Sequence, residues 1–191
     1  MSGEGLILAS ASPRRLELLA QIGITPAAVV HAEIDETPLR DELPRDYARR
    51  IARAKAAAVP HPDHYLLAAD TVVAVGRRIL GKPENEIQAR KYLTLLSGRR
   101  HHVITCVVLV APGGKTAERV VESNVTFVRL EPARIETYLA SGEGRGKAGG
   151  YAIQGFAAAF VRALGGSYSG VVGLPLFETA QLLRGLGYQL P

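Results

Sequence analysis

The chain has 191 residues, of which 47% are hydrophobic and 21% charged. This balance is typical of a folded globular protein, and the length predicts a single domain over residues 1–191. The net charge of +5 is spread along the chain without a basic tail, which favours a small anionic ligand over a stable nucleic-acid partner. One cysteine excludes an intramolecular disulfide and a cysteine zinc site. Residues 1–4 lack a basic leader and no apolar run reaches membrane-span length, so we expect a cytoplasmic protein.

The first predicted unit is a short strand at residues 6–9 that leads into a helix. Ser12 and Pro13 are typical of a helix N-cap and a first helical position. Arg14 and Arg15 follow in the first turn, where positive charge opposes the helix dipole. Because free N–H groups at a helix N-terminus bind anions, this turn predicts a phosphate-binding site. Two solvated surface arginines are the alternative.

The next two features each place charged side chains beside a predicted element. A strand at residues 27–30 is followed by Glu33, Asp35 and Glu36, which are either a source of hard-metal ligands or a solvated loop. A helix is predicted over residues 44–59, with Lys55 on its inward face. A lysine on such a face either snorkels to solvent or reaches a site.

Residues 66–75 are apolar on both sides of Asp70 and predict a buried strand. An unpaired buried carboxylate is costly, so Asp70 must be paired, bound to a metal or placed at a cleft. A turn at Gly76 and a return through residues 79–80 would bring Lys82 back near this acid. A structural Asp–Lys pair and a catalytic acid both remain open at this point.

The second half of the chain alternates irregularly between helices and strands. Helices are predicted over residues 84–96, 131–139 and 175–185, and strands over 103–110, 120–130, 160–161 and 171–174. The long hairpin at 103–130 predicts antiparallel pairing, and the whole predicts an α/β protein with a mixed sheet. The glycine-rich residues 141–150 fail the P-loop pattern at Ser141 and Ala148 and predict a mobile lid or rim that carries Lys147. Gln154 follows in an apolar stretch, where its amide needs partners.

Seven motifs in a fixed order carry a resemblance to a known family. They are residues 10–15 (SASPRR), 34–36 (IDE), 69–71 (ADT), 81–83 (GKP), 96–99 (LSGR), 147–155 (KAGGYAIQG) and 172–175 (VGLP). Together they resemble the Maf family of nucleoside triphosphate pyrophosphatases, also called septum formation inhibitor Maf, over residues 6–183. The resemblance implies an α/β, ITPase-like fold with two lobes, in which a mixed sheet flanked by helices surrounds a central cleft.

The resemblance also implies an activity. Family members hydrolyse nucleoside triphosphates to the monophosphate and pyrophosphate, depend on a divalent metal cation such as Mg²⁺ or Mn²⁺, and form homodimers. Members that act on dTTP and UTP carry Asp-Thr and Ile-Gln-Gly at the positions that are 70–71 and 153–155 here. The alternatives are a pyrophosphatase that prefers 7-methyl-GTP and a non-catalytic nucleotide-binding regulator of cell division.

Individual roles are carried over by motif. Asp70 resembles the proton acceptor, with a metal-binding role open beside it or instead of it. The residues that resemble phosphate, metal and triphosphate contacts are Ser10, Arg14, Arg15, Glu36, Lys55 and Lys82, of which Glu36 is the second metal ligand. The positions that resemble those setting base choice are Arg14, Thr71 and Gln154. Gly146 departs from the pattern, since many members have Asp there.

Overall fold

A mixed sheet of seven strands forms the centre of the structure, a computed structural model that describes residues 5–61 and 63–191. The strands are β1 (Leu6–Ala9), β2 (Ala28–Val30), β3 (Tyr65–Val75), β4 (Arg78–Leu80), β5 (Arg100–Val110), β6 (Thr116–Phe127) and β7 (Val161–Gly165). The helices are α1 (Pro13–Gln21), α2 (Pro44–Ala57), α3 (Glu86–Leu96), α4 (Pro132–Ser141), α5 (Tyr168–Val172) and α6 (Leu176–Gly185). Residues 1–4, for which no leader is predicted, lie outside the described residues.

The strand order is β2-β1-β3-β5-β6-β7, with β4 also paired to β3. β1 runs parallel to β2 and β3, and the remaining pairs are antiparallel. β5 borders one edge of β3, and β1 and β4 share the other edge. β1 pairs with β3 as far as Ala68, whereas β4 pairs only from Val73 onwards. Residues 69–72 are therefore left without a neighbouring strand on that edge.

Helices cover both faces of the sheet unequally. α2 packs on one face, over a cluster that includes Ile51, Leu66 and Val72. The other helices pack on the opposite face, over a larger cluster that includes Leu67 and the side chains of α1, α3, α4 and α6. Because side chains alternate along a strand, Asp70 points toward the α2 face and Thr71 toward the opposite face. Asp70 and Thr71, the polar residues in the part of β3 that lacks a neighbouring strand, thus lie on opposite faces of the sheet.

The structure confirms the mixed α/β architecture and most predicted elements, with one clear error. Residues 171–174, predicted as a strand, belong to α5 and the turn after it. The Ser167 side chain accepts a hydrogen bond from the Gly170 N–H at 3.0 Å and so begins a helical turn, which ends at Gly173. A short apolar run does not distinguish strand from helix, so the cap decides. No helix among the described residues is long and apolar enough to cross a membrane.

Leu67→Ala should lower the free energy of unfolding by about 2–5 kcal/mol, because Leu67 is completely buried where β3 lies between β1 and β5. Leu39→Ala is the matched control and should change it by less than about 0.5 kcal/mol, since Leu39 is 60% exposed. Urea denaturation of the two variants measures the difference. Equal losses would contradict the assignment of the core.

Candidate active site

A cavity of about 480 Å³ opens at the stretch of β3 that lacks a neighbouring strand. The end of β1, the first turn of α1, the loop before α2 and the glycine-rich residues 145–148 form much of its wall. All the residues that the sequence predicts as site residues line it: Ser10, Arg14, Arg15, Glu36, Lys55, Asp70, Thr71, Lys82 and Gln154. The fold therefore gathers into one cavity residues that are up to 144 positions apart, from Ser10 to Gln154.

Lys55 joins the two predicted metal ligands. Its Nζ lies 2.7 Å from Asp70 Oδ1 and 2.8 Å from Glu36 Oε1. The side chains of Lys55 and Asp70 are only 10% and 9% exposed, so Lys55 reaches the site and does not snorkel to solvent. Burial raises the pKa of Glu36, but the hydrogen bonds and charges of Lys55 and Lys82 outweigh it and leave this pKa below its ordinary value. The ammonium group of Lys55 is therefore shared by both carboxylates.

Lys82 forms its ion pair with Glu36, and among the described residues the ion pair of Asp70 is with Lys55. Lys82 Nζ lies 3.5 Å from Glu36 Oε2, and its side chain is 61% exposed. β4 stops pairing with β3 at Val73, before the position of Asp70. Lys82 thus follows β4 to the rim of the cavity, where it faces the cavity without being buried.

Arg15 is almost completely buried, which rules out the solvated alternative for this residue. Its Nε donates to the Gly173 carbonyl at 2.8 Å, Nη1 to Ser10 Oγ at 2.9 Å and Nη2 to Thr71 Oγ1 at 3.3 Å. A guanidinium has five N–H donors, so two remain for a ligand. Burial lowers the pKa of Arg15, an effect that the nearby negative charge of Asp70 opposes. Arg15 therefore joins α1 to the turn at Gly173 and to β3 through its hydrogen bonds, and it contributes a cationic side chain to the cavity wall.

The start of α1 has the features of an anion site. Ser12 is the N-cap residue but makes no side-chain hydrogen bond to the turn, and the first turn contains no acid. The Ser10 hydroxyl accepts from the Ser12 N–H at 3.1 Å and fixes the chain before the helix. Arg14 is half-buried beside this turn. Helix N–H groups and two arginines therefore meet at one side of the cavity.

The glycine-rich segment forms a rim that is tied to the sheet. The Gly149 N–H donates to the Gly81 carbonyl at 3.0 Å, and Lys147 Nζ donates to the Glu143 carbonyl. Gly149 has φ +69°, and a Cβ there would lie 2.9 Å from the Val73 side chain, so only glycine fits. In this structure the segment forms part of the cavity wall and carries Lys147 there.

Gln154 lies at the mouth of the cavity and is exposed, so the expectation that it sits in an apolar environment is wrong for its side chain. Residues 151–153 immediately before it are buried and give the stretch its apolar character. The backbone thus packs inward at Tyr151 and turns Gln154 toward the opening. Its amide is available to a ligand at the edge of an apolar wall.

The residues fit a divalent cation that is shared with a phosphate. The described residues contain no group of three or more His, Cys, Asp or Glu side chains that would hold a metal without help. Mg²⁺ is commonly bound by one or two carboxylates together with substrate phosphates. Glu36 and Asp70 supply two such carboxylates, both within hydrogen-bonding distance of Lys55.

Sequence reasoning missed Thr105, which lies on β5 directly opposite Thr71 and is 1% exposed. Its hydroxyl donates to the Gly170 carbonyl at 2.8 Å and lies 2.9 Å from Thr71 Oγ1. The available signal was a hydroxyl within the apolar residues 103–110. A buried hydroxyl needs a hydrogen-bond partner. The partners of Thr105 are the Gly170 carbonyl and Thr71, and Thr71 lines the cavity.

The sequence matches the family of Maf-like proteins over residues 5–186. It is 60% identical to the dTTP/UTP pyrophosphatase of Granulibacter bethesdensis, over 96% of this chain and 94% of that protein. It is also 60% identical to the dTTP/UTP pyrophosphatase of Paramagnetospirillum magneticum, over 96% and 97%, and 58% identical to that of Caulobacter vibrioides, over 98% of both chains. These matches cover almost the whole of both chains in each pair.

Solved structures give a weaker likeness. A nucleoside-triphosphatase, or dITP/XTP pyrophosphatase, from Mycobacterium abscessus matches with a TM-score of 0.40 and 20% identity, over 65% of this chain and 73% of that one. The Ham1 protein of Staphylococcus aureus matches with a TM-score of 0.43 and 16% identity, over 64% and 71%. At these values the likeness supports no conclusion about the present chain.

Lys55→Met should raise the pKa of Glu36, because it removes the hydrogen bond and charge that hold this pKa below its ordinary value of 4.5. A carboxylate with a lowered pKa adds stability above pH 4.5 that is lost as the pH falls through the lowered value. A ¹³C NMR titration of the glutamate carboxyl groups measures the shift. Lys91→Met, at an exposed position of α3, is the control and should leave it unchanged. An unaltered Glu36 pKa in Lys55→Met would contradict the description of this cluster.

Proposed function

The chain belongs to the Maf-like protein family, and we propose that it is a nucleoside triphosphate pyrophosphatase that hydrolyses dTTP and UTP to the monophosphate and pyrophosphate. The observation that carries the proposal is the contact of Asp70 with the buried Lys55, at the opening of the sheet and beside the arginines of α1. A triphosphate needs cationic groups, and hydrolysis needs a group that accepts a proton from water. The cavity brings both together.

The phosphates lie against the cationic part of the wall. The first turn of α1 provides N–H groups together with Arg14 and the two remaining donors of Arg15. Lys82, at the exposed rim, approaches from the other side. Positive charge placed in advance stabilises the negative charge that develops on the phosphates during hydrolysis. Ser10 fixes the turn by accepting from the Ser12 N–H and from Arg15.

Asp70 is the proton acceptor for the attacking water. Lys55 holds Asp70 Oδ1 at 2.7 Å, which fixes the direction of the carboxylate. The water oxygen forms a new P–O bond at one phosphorus of the α–β phosphoanhydride while the bond to the bridging oxygen breaks. The bond electrons leave with that oxygen, the proton passes to Asp70, and monophosphate and pyrophosphate are the products.

Glu36 and Asp70 are the residues that would hold a divalent cation, Mg²⁺ or Mn²⁺, next to the phosphates. When bound, such a cation neutralises phosphate charge and polarises phosphoryl oxygens. Lys55 lies between the two carboxylates and offsets the repulsion between them. Asp70 therefore serves as proton acceptor and metal ligand within one cluster.

The base lies on the side of the cavity opposite to Asp70. The wall there is formed by buried residues 151–153 and 172, with Gln154 at the mouth. Uracil and thymine present an N3–H donor between two carbonyl acceptors. The Gln154 amide can donate to one carbonyl, Arg14 can donate to the other, and the Thr71 hydroxyl can accept from the N3–H. Cytosine lacks the N3–H, and a purine is larger and should meet the apolar wall. This pairing favours dTTP and UTP over CTP, GTP and ATP.

Two other functions use the same cavity. A non-catalytic regulator of cell division would need the arginine turn but not Asp70, and it would release no pyrophosphate. A pyrophosphatase for 7-methyl-GTP would need the acid but a different base contact. Pyrophosphate release over a nucleotide panel with Mg²⁺ and Mn²⁺ separates all three, because only the proposed enzyme turns over dTTP and UTP best.

We extend the proposal to one domain over residues 1–191 that forms a cytoplasmic homodimer. One continuous sheet links the described residues, which supports the single domain. The edge strand β2 is exposed throughout and carries Val29 and Val30, which supports association through this edge. Light scattering of the purified protein at several concentrations tests the dimer.

Asp70→Asn should reduce kcat for dTTP by about 10²–10⁴-fold, because it keeps the shape of the side chain but removes the proton acceptor. Equilibrium binding of dTTP should persist, since the arginine turn is unchanged. Asp63→Asn is the matched control at an exposed position and should behave like the unmodified protein. Undiminished turnover in folded Asp70→Asn would end the assignment of Asp70.

Gln154→Glu should lower kcat/KM for dTTP and UTP by about tenfold, because a carboxylate cannot donate to a base carbonyl and leaves it unpaired. Steady-state kinetics on dTTP, UTP, CTP, GTP and 7-methyl-GTP measure both the loss and the ranking. Gln189→Glu, exposed near the C-terminus, makes the same chemical change as a control. A preference of the unmodified protein for 7-methyl-GTP would overturn the base assignment.

A further inference from the structure

A chain of hydrogen-bonded hydroxyl groups runs beneath the wall of the cavity. Thr105 Oγ1 lies 2.8 Å from the Gly170 carbonyl oxygen and 2.9 Å from Thr71 Oγ1. Arg15 Nη2 lies 3.3 Å from the same Thr71 oxygen. Thr105 is 1% exposed and Thr71 is partly exposed at the cavity, so the chain begins in the core and ends at the ligand site.

The partners fix the direction of each hydrogen bond in this chain. A threonine hydroxyl has one proton and two lone pairs, and a carbonyl oxygen only accepts. Thr105 therefore uses its single proton on the Gly170 carbonyl. The contact between the two hydroxyls then requires Thr71 to donate to Thr105. Arginine only donates, so Thr71 accepts from Arg15.

The alternative direction for the Thr71 proton is less favourable. The Gly173 carbonyl lies 3.5 Å from Thr71 Oγ1, which is at the limit of a hydrogen bond, and it already accepts from Arg15 Nε at 2.8 Å. Donation there would leave the two threonine oxygens 2.9 Å apart without a proton between them. The Thr71 proton is therefore held by Thr105, and the remaining lone pair of Thr71 is its only polar feature for a ligand.

We propose that Thr105 is a positioning residue that makes Thr71 an acceptor-only group toward the nucleotide base. This inference rests on the proposed function. Thr71 projects from the face of the sheet that also carries Ile153 and Val172, the apolar part of the wall. An acceptor at this place pairs with the N3–H of uracil or thymine. It opposes the N3 lone pair of cytosine, so Thr105 sets base choice without touching the base.

Thr105→Val tests the proposal because valine keeps the shape of threonine and removes the hydroxyl. The Thr71 hydroxyl is then free to rotate and to donate to cytosine N3. The ratio of kcat/KM for UTP to that for CTP should fall about tenfold, the discrimination of about one hydrogen bond. UTP and CTP share sugar and phosphates, so their ratio responds to the base alone. A general loss of stability or of active enzyme lowers both values together and leaves the ratio unchanged.

Thr105→Ser keeps the hydroxyl and should restore the ratio of the unmodified protein. In a Thr71→Val background, Thr105→Val should have no further effect on the ratio, because Thr105 acts only through Thr71. An unchanged ratio in Thr105→Val would overturn the proposal, as would an equal fall in Thr105→Ser. Equilibrium binding of UTP and CTP measures the discrimination between the two bases without turnover. A protein that binds with this selectivity but releases no pyrophosphate would refute the proposed function and leave this inference standing.

Discussion

The buried ammonium group of Lys55 is the interaction on which the site depends. Asp70 lies in the middle of a strand that is otherwise mostly apolar, and an isolated carboxylate there would be strongly unfavourable. Lys55 contacts Asp70 and Glu36 together and is itself buried, so each of the three charges needs the others. Removing one partner of a buried ion pair typically costs about 3–5 kcal/mol, because the remaining charge has no compensation. The cluster therefore fixes α2 and the loop before it against β3, and it places the Asp70 carboxylate at the cavity.

The interruption of strand pairing along β3 explains why the cavity lies where it does. β1 leaves this edge at Ala68 and β4 joins it at Val73, so the cavity reaches the middle of the sheet through the space between them. Asp70 and Thr71 are adjacent in sequence but project from opposite faces. Asp70 joins the charged residues beside α2, whereas Thr71 joins the hydroxyl chain and the apolar wall near α5. One dipeptide thus places a carboxylate on one face of the sheet and a hydroxyl group on the other.

Local patterns predicted much of this arrangement from the sequence. The Ser-Pro start of α1, the periodicity of the long helices and the apolar strands gave elements close to those observed, and an acid inside an apolar strand identified Asp70 as exceptional. Features that depend on contacts between elements distant in sequence could not be predicted. Nothing in the sequence favours Lys55 over Lys82 as the partner of Asp70, because the choice follows from where β4 pairs. The exposure of Gln154 and the helical turn of α5 depend on how the chain packs after the rim, and Thr105 acquires its role only through its register with Thr71.

We propose that one nucleotide spans the cavity, with its phosphates at the arginine turn and its base beside Thr71 and Gln154. A crystal structure with the non-hydrolysable α,β-imido analogue of dTTP and Mg²⁺ would show this arrangement directly. We expect phosphate oxygens at the N-terminus of α1 and within reach of Lys82, Asp70 facing the α–β linkage, and the thymine N3–H directed at Thr71 Oγ1. A nucleotide bound with its base at the α2 face, or with its phosphates away from Arg14 and Asp70, would contradict it.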